Sequence, residues 1–268
     1  MAGSRLNPLV MVSLIGLIGS SSFAAEGDRR NQVLLTAQTT TSTPQECKTP
    51  KPGDYLVVAQ GSKRGIPLGR LLKENWSADG EVKGIRFERE GQVYTQTSYK
   101  GKWQRLSSCG VLVERGTTGE RSEVILYGNG SPRVGLDTSH GGVVNETWIS
   151  QSVLNCREKD LNGTLVNVQQ GFDLKSGIWH PNAMIKRETW INGGVAGIAI
   201  IANGGKSQVS AYQGRLIMDP DASCIGRLRL QDAKGITYVY VAILRSDRKG
   251  YAYLQTQGSK LNVGLSSR

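Results

Sequence analysis

The stretch Tyr212-Gln213-Gly214-Arg215, followed by Cys224-Ile225-Gly226-Arg227-Leu228-Arg229-Leu230, decides the fold of this chain. In its second part leucines alternate with arginines, which is typical of a β-strand with one face on a core and the other in water. An earlier stretch has the same design, Tyr99-Lys100-Gly101-Lys102 and then Cys109-Gly110-Val111-Leu112-Val113. The two stretches predict a duplicated all-β module.

Further matches extend this duplication along the chain. A glycine-led apolar strand follows the first cysteine of each module, and a base–acid–x–Trp sequence follows that strand. In chain order the pairs are Cys47 and Cys156, 53–58 and 163–168, 73–76 and 187–190, Gly84 and Gly197, Tyr99 and Tyr212, Cys109 and Cys224, and 134–136 and 263–265. An ordered series in one register indicates a tandem duplication.

The duplication also predicts how the four cysteines pair. If each module owns one bridge, Cys47 pairs with Cys109 and Cys156 pairs with Cys224. Disulfides are typical of exported proteins, and bridges that close loops of this length stabilise by about 4 kcal/mol in the chain-entropy model. Four free thiols, or a bridge between the modules, are the alternatives.

Strand and turn signals predict that each module is an antiparallel barrel. From Gly163 onward the sequence shows about eight short strands joined by tight turns, with no sustained helical periodicity. The run 236–244 is apolar on both faces, as in a strand covered on each side or one lining a filled barrel. Closure into a barrel removes exposed sheet edges. We therefore expect two tandem meander β-barrels, at 47–139 and 156–268, joined by a linker at 140–155.

The first residues are typical of an export signal. Arg5 precedes an apolar run from Leu9 to Ile18, and Ser22-Phe23-Ala24 fits a cleavage site. We expect a cleaved signal peptide at 1–24, a flexible leader at 25–46, and a periplasmic or extracellular address. The apolar run is shorter than the roughly 20 residues of a membrane span, so we expect no transmembrane segment in the mature chain.

Several of these motifs carry a resemblance to a known group of proteins. The series Gly-Thr-Leu-Val at 163–166, Tyr-Gln-Gly-Arg at 212–215 and Asp-Ala-Ser-Cys-Ile-Gly-Arg-Leu at 221–228 resembles small exported bacterial proteins that are lipocalin-like (calycin-like). The first module departs from the pattern, with Ser108 in place of the aspartate before its cysteine. The resemblance implies a β-barrel fold and an exported location, and it implies little chemistry.

The charge of the chain, a formal +11, bears on its partners. Basic and acidic residues are interspersed, which usually means a solvated surface. An affinity for acidic polysaccharide or another polyanion is the alternative. We expect no nucleic-acid partner, because export separates the chain from nucleic acid. The oligomeric state is left open.

The sequence offers no convincing catalytic or metal-binding constellation. The two histidines, His140 and His180, lie in turn-like sequence, and bridged cysteines cannot ligate a metal. Ser246 and Lys249 have a Ser-x-x-Lys spacing but straddle an expected hairpin turn. We therefore expect no catalytic residue, no metal and no cofactor.

Two groups of residues are candidates for ligand binding. The first is the recurring aromatic pairs, Trp76 with Tyr99 and Trp190 with Tyr212, which line a pocket or stack on sugar in one interpretation and fix the barrel core in the other. The second is a basic loop expected at 61–73, with Lys63, Arg64 and Arg70.

Three functions are compatible with these sequence features. The first is an exported, non-catalytic binding protein for an apolar small molecule or an envelope glycan. The second is a structural or interaction protein of the cell envelope or extracellular matrix, and the third, less favoured, is an enzyme. An apolar, aromatic cavity would favour the first, filled barrels with an exposed apolar patch the second, and convergent carboxylates in a cleft the third.

Overall fold

The fold is all-β, with one closed barrel for each copy of the duplicated module. In a computed structural model, the described residues are 47–106, 109–116, 119–152, 155–220 and 224–268. The expected signal peptide at 1–24 and leader at 25–46 lie outside these residues. Across the described ranges, no helix is long and apolar enough to cross a membrane.

The first barrel is an antiparallel meander in which every strand pairs with its neighbours in sequence. Pairing of the first strand with the eighth closes it. Its strands are β1 Gly53–Lys63, β2 Ile66–Trp76, β3 Glu81–Glu90, β4 Val93–Arg105, β5 Gly110–Arg115, β6 Glu120–Leu126, β7 Pro132–Asp137 and β8 Gly142–Gln151. A short 3₁₀ turn, Ser139–Gly141, precedes the last strand.

The second barrel repeats this topology and is closed by pairing of its first strand with its last. Its strands are β9 Gly163–Lys175, β10 Ile178–Ile191, β11 Gly194–Asn203, β12 Lys206–Met218, β13 Ile225–Asp232, β14 Thr237–Leu244, β15 Gly250–Gln255 and β16 Lys260–Ser267. A 3₁₀ turn, Glu158–Leu161, leads into it. The prediction of two tandem antiparallel barrels is confirmed.

The linker expected at 140–155 is wrong, because most of this segment is β8. Without β8, the edges of β1 and β7 would lack hydrogen-bonding partners, and alternate residues of β8, such as Val144 and Trp148, complete the barrel core. The error came from matching 134–136 with 263–265. The first lies in β7 and the second in β16, the eighth strand of its barrel.

The basic loop expected at 61–73 is also wrong. These residues form the hairpin of β1 and β2, and only Arg64 and Gly65 make the turn. Both have positive φ, 51° and 78°, as a two-residue hairpin turn that follows the sheet twist requires. The glycines that suggested a loop instead permit close packing: a Cβ on Gly61 would lie 2.0 Å from a carbonyl oxygen of β8.

The disulfides pair as the duplication predicts. Cys47 is bonded to Cys109 and Cys156 to Cys224, so each barrel has one bridge. The bridges are consistent with an extracytoplasmic location. Each ties the segment before the first strand of its barrel to the connection between the fourth and fifth strands.

We expect the double variant Cys156→Ser/Cys224→Ser to lower the free energy of unfolding by about 4 kcal/mol, because a link across 68 residues restricts the unfolded chain. Urea titration measures the loss, and Cys47→Ser/Cys109→Ser, which opens a 62-residue separation, is expected to behave similarly. Equal urea midpoints for the oxidised wild type and both variants would contradict this prediction.

Apolar residues form three clusters. One fills the interior of each barrel, and the third lies between the barrels, where the outer faces of β1–β3 meet β14–β16. This third cluster explains why the run 236–244 is apolar on both faces. Tyr240 and Ala242 face the second barrel's own core, whereas Val241 and Ile243 pack against the first barrel.

Candidate functional site

A buried glutamate organises the interior of each barrel. In the first barrel, Glu74 accepts hydrogen bonds from Trp76 Nε1 (2.8 Å) and from the Tyr99 hydroxyl (2.5 Å). The alternation of β2 places Glu74 and Trp76 on the same inward face. Both side chains are fully buried.

The second barrel repeats this arrangement. Glu188 accepts from Trp190 Nε1 at 3.1 Å and from the Tyr212 hydroxyl at 2.9 Å. It also accepts from the Tyr251 hydroxyl at 2.8 Å. Four of the sequence-predicted binding residues, Trp76, Tyr99, Trp190 and Tyr212, thus belong to these glutamate-centred networks. Both tryptophans are about 1% exposed, so neither can stack on a sugar from outside.

In each barrel, a repeated glycine lies next to the repeated tyrosine on the neighbouring strand, and packing of the tyrosine ring requires it. Gly84 pairs with Tyr99 and Gly197 with Tyr212 in the sheet register. A Cβ added to either glycine would lie within 2.7 Å of the tyrosine ring, which is closer than van der Waals contact permits. Each tyrosine therefore lies across its glycine and directs its hydroxyl to the buried glutamate.

Ion pairs fill the middle of the first barrel. The Arg115 guanidinium donates to Glu74 at 2.6 Å, to Glu146 at 2.9 Å and to Ser122 at 2.6 Å, and all four side chains are buried. Burial opposes the charge of Arg115, yet the two carboxylates raise its pKa above the usual value. Burial also raises the pKa of Glu146, although Arg115 acts in the opposite direction.

A second group of ion pairs closes one end of the same barrel. Arg70, sequence-predicted as a loop residue, is 3% exposed and inside the barrel. It bonds Glu88, Asp137 at 2.6 Å and Glu120 at 3.1 Å. Arg86 also pairs with Glu120. These side chains occupy the interior of the first barrel at this end. Of the other basic candidates, Lys63 is partly exposed near Glu90, and Arg64 is exposed in the hairpin turn.

The corresponding end of the second barrel is open. A cavity of about 50 Å³ enters it between apolar and tyrosine side chains, with Lys186 at its inner end. The residues around it are Met184, Lys186, Ala199, Ile201, Ser210, Tyr212, Leu230, Asp232, Tyr238, Tyr240, Lys260 and Asn262.

Counting from the repeated tryptophans and glycines shows why one end is filled and the other open. Arg70 corresponds to Met184, Arg86 to Ala199 and Glu88 to Ile201. Charged side chains that bond one another in the first barrel are thus replaced by apolar ones in the second. The two copies keep the same glutamate, tryptophan and tyrosine but differ where the cavity lies.

Lys186 is a buried lysine whose side chain lines this cavity. Its ammonium lies 4.1 Å from the ring centroid of Tyr253 and about 6 Å from those of Tyr240 and Tyr212. Glu188 Oε1 is 3.9 Å away, beyond hydrogen-bonding distance. Among the described residues, Nζ forms no hydrogen bond. Burial lowers the pKa of Lys186, and the Glu188 carboxylate opposes this shift.

The rim of the cavity is polar. The Tyr238 hydroxyl donates to Asp232 at 3.1 Å, and the Lys260 ammonium lies 5.5 Å from the centroid of the Tyr238 ring. Burial, together with the Asp232 carboxylate, raises the pKa of Tyr238 to about 12. The hydroxyl is therefore a neutral donor at physiological pH.

The sequence pattern identified one residue of this cavity, Tyr212, and missed Lys186. The alternation of β10 contained this information. Lys186 lies two and four residues before Glu188 and Trp190, so its side chain is on the same face of the strand as theirs. Taken as one face, these three residues predict a lysine inside the barrel.

Comparisons with solved structures give weak similarities to this chain. No family model matches the chain, and no curated protein matches it. It is similar to a Nitrosomonas europaea protein provisionally named AttH, with 8% identity and a TM-score of 0.28 over 86% of this chain and 97% of that one. It is also similar to a porin-like protein from Bacteroides uniformis, with 7% identity and a TM-score of 0.23 over 84% and 99%.

Proposed function

We propose that the protein is an exported, non-catalytic binding protein whose second barrel holds a small, mainly apolar molecule with an acidic head. The observation that carries this proposal is the open cavity that ends on Lys186. A buried ammonium has three N–H donors, and those of Lys186 have no hydrogen-bond acceptor among the described residues. A ligand carboxylate at the inner end would supply the missing acceptors.

The size and walls of the cavity define the ligand further. A space of about 50 Å³ takes a carboxylate and the first carbons next to it rather than a whole lipid. Met184, Ile201 and Leu230 offer apolar contact to the rest of the molecule along the walls of the cavity. The first barrel has no matching role, because its ion pairs occupy the equivalent space.

Export is part of the proposal. Residues 1–24 have the pattern of a cleaved signal peptide, and the two disulfides suit an oxidising compartment. Native mass spectrometry of the protein isolated from its own compartment, without reduction, tests cleavage and ligand together. The expected mass lacks the first 24 residues and the four hydrogen atoms lost in forming two disulfides, and it includes an extractable adduct.

Binding of octanoate, measured by isothermal titration calorimetry, tests the role of Lys186. We expect Lys186→Met to weaken octanoate binding by about 10- to 100-fold, because hydrogen bonds to charged groups contribute about 1.5–3 kcal/mol. Octanol, which has the same chain and no charge, is expected to bind both proteins weakly and similarly. Lys63→Met, which removes a partly exposed lysine of the first barrel, is the control. Equal octanoate affinity for wild type and Lys186→Met would refute the proposal.

The affinity for octanoate is also expected to depend on pH. A carboxylate stabilises the charged form of Lys186, so binding raises a pKa that burial has lowered. Affinity is therefore greatest while the lysine of the free protein is protonated, and it falls as pH rises through that lowered pKa. Calorimetry from pH 6 upward, with octanol as the uncharged reference, measures the dependence. A flat profile for octanoate would contradict it.

A structural or interaction role is the second candidate. The observation in its favour is a band of exposed aliphatic side chains on the outside of the second barrel. This role is compatible with ligand binding inside the same barrel.

A further inference from the structure

The interface between the two barrels shows what the outer face of β1–β3 does. Leu56, Leu71 and Phe87 point away from the interior of the first barrel, yet each is at most 2% exposed. They pack against Val241, Ile243, Ala252, Leu254 and Val263 on the outer face of β14–β16. An outer face of one barrel is therefore buried by an outer face of the next.

The equivalent outer face of the second barrel, on β9–β11, is also apolar. No other described residues pack against it. Counting from the tryptophans, Leu71 corresponds to Ile185. Counting from the glycines under the tyrosines, Phe87 corresponds to Ile200. Ile185 and Ile200 are 53% and 49% exposed, whereas Leu71 and Phe87 are 0% and 2% exposed. Adjacent branched aliphatic residues at about half exposure on the outer wall of a barrel mark an interaction surface.

The exposed residues form one continuous row. Ile185 pairs with Val168 on one side and with Ile200 on the other, and Ile200 pairs with Val209. The row thus crosses four neighbouring strands, β9 to β12. We call it the β9–β12 face.

The complementary face exists on the first barrel. On the first barrel, Ile125 pairs with Gly110 and Leu136 pairs with Glu123. The equivalent pairs on the second barrel are Ile243 with Ile225 and Leu254 with Val241. Ile125 also pairs with Val134, as Ile243 pairs with Ala252. Ile125, Val134 and Leu136 are therefore the counterparts of residues that the interface between the barrels buries. All three are exposed. We call this surface the β5–β8 face.

We propose that the β9–β12 face binds the β5–β8 face of a second copy of this chain. The contact would repeat, between molecules, the packing that already joins the two barrels within one molecule. Charge agrees with it, since the exposed Arg187 lies between Val166 and Ile198 on one face and the exposed Glu123 lies beside Leu136 on the other.

The contact is heterologous, so each molecule retains one free face of each kind. Such contacts produce rings when the rotation closes and filaments when it does not.

The proposed contact is weaker than the one within the molecule. Arg89 donates to the carbonyls of Gln255, Gly258 and Lys260 across the interface between the barrels, whereas counting from the glycines places Ala202 at the equivalent position of the second barrel. Association is therefore reversible and depends on concentration.

Analytical ultracentrifugation of the protein as its host produces it tests this proposal. The weight-average molar mass of the wild type is expected to rise with protein concentration. Ile185→Lys and Ile125→Lys, one on each face, are each expected to raise the dissociation constant by more than about tenfold. Both side chains are more than half exposed, so both variants should fold. Ile236→Lys, at an exposed turn outside both faces, is the matched control and should associate like the wild type.

Mixing the two variants identifies the mode of association. Ile185→Lys keeps an intact β5–β8 face and Ile125→Lys an intact β9–β12 face, so their mixture should form a one-to-one dimer and stop there. A wild type that stays monomeric at millimolar concentration would overturn the proposal. So would association lost in Ile185→Lys but unchanged in Ile125→Lys, because two β9–β12 faces would then pair with each other. Binding to phospholipid vesicles by a monomeric wild type, lost in Ile185→Lys, would assign the face to a membrane surface instead.

Discussion

Replacing Arg115 by leucine is expected to destabilise the protein by about 3–5 kcal/mol, the usual effect of removing one partner from a buried ion pair. Leucine is the residue that the second barrel carries at this place, Leu230, so its shape fits a barrel interior. The loss arises because Glu74 and Glu146 remain buried without their shared cation. Urea unfolding followed by tryptophan fluorescence measures it.

Replacing an exposed arginine serves as a control, because it removes the same positive charge without affecting a buried ion pair. Arg121→Leu removes an exposed arginine that pairs with Glu114 and is expected to change stability by less than about 1 kcal/mol. If Arg115→Leu had an equally small effect, the interior ion pairs would not support the barrel.

The Arg115→Leu variant should also respond to pH in a defined direction. Burial already raises the pKa of Glu146 above 4.5 in the wild type, and loss of the guanidinium raises it further. A carboxyl that holds its proton more tightly in the folded state stabilises that state at low pH. This contribution is lost as pH rises from the unfolded to the folded pKa. Part of the destabilisation should therefore disappear on acidification toward pH 5.

Replacing Glu188 by alanine is expected to destabilise the second barrel by about 3 kcal/mol or more. The change leaves the buried donors of Trp190, Tyr212 and Tyr251 without their acceptor, and each orphaned group costs about 1–3 kcal/mol. Thermal unfolding monitored by near-ultraviolet circular dichroism measures the loss, because the affected side chains are aromatic.

Two further variants define the cause of the Glu188 effect. Glu188→Gln keeps a carbonyl acceptor and should lose roughly half as much as alanine. Glu81→Ala, which removes an exposed glutamate on β3 that pairs with the exposed Lys83, should be nearly neutral. If glutamine and alanine were equally damaging, the negative charge near Lys186, rather than the hydrogen bonds, would be the stabilising feature.

Much of the architecture could be predicted from the sequence. The ordered matches around Glu74-Asn75-Trp76 and Glu188-Thr189-Trp190 indicated the duplication, and the duplication indicated the disulfide pairing. Both depend on local spacing and strand alternation. The errors arose where local pattern was ambiguous: the glycines of 61–73 suggested a loop, and a three-residue match hid β8.

The candidate site was harder to predict. Trp76 and Trp190 stood out because tryptophan is rare and recurred, yet both proved to be buried structural residues. Lys186 did not stand out, since a single lysine beside an arginine and a glutamate looks like a solvated surface. Its burial depends on strand parity and on the absence, in the second barrel, of the ion pairs that fill the first.

The sequence by itself determined the strand period, the order of the turns, the repeat and the pairing of the cysteines, because each of these depends on neighbours along the chain or on a repeated spacing. Only the tertiary structure decided which faces of the barrels are covered and which are open. Leu71 and Ile185 are equivalent in sequence, and so are Arg70 and Met184. Their different surroundings come from residues distant in the chain: β14–β16 cover Leu71, and Glu88, Glu120 and Asp137 surround Arg70.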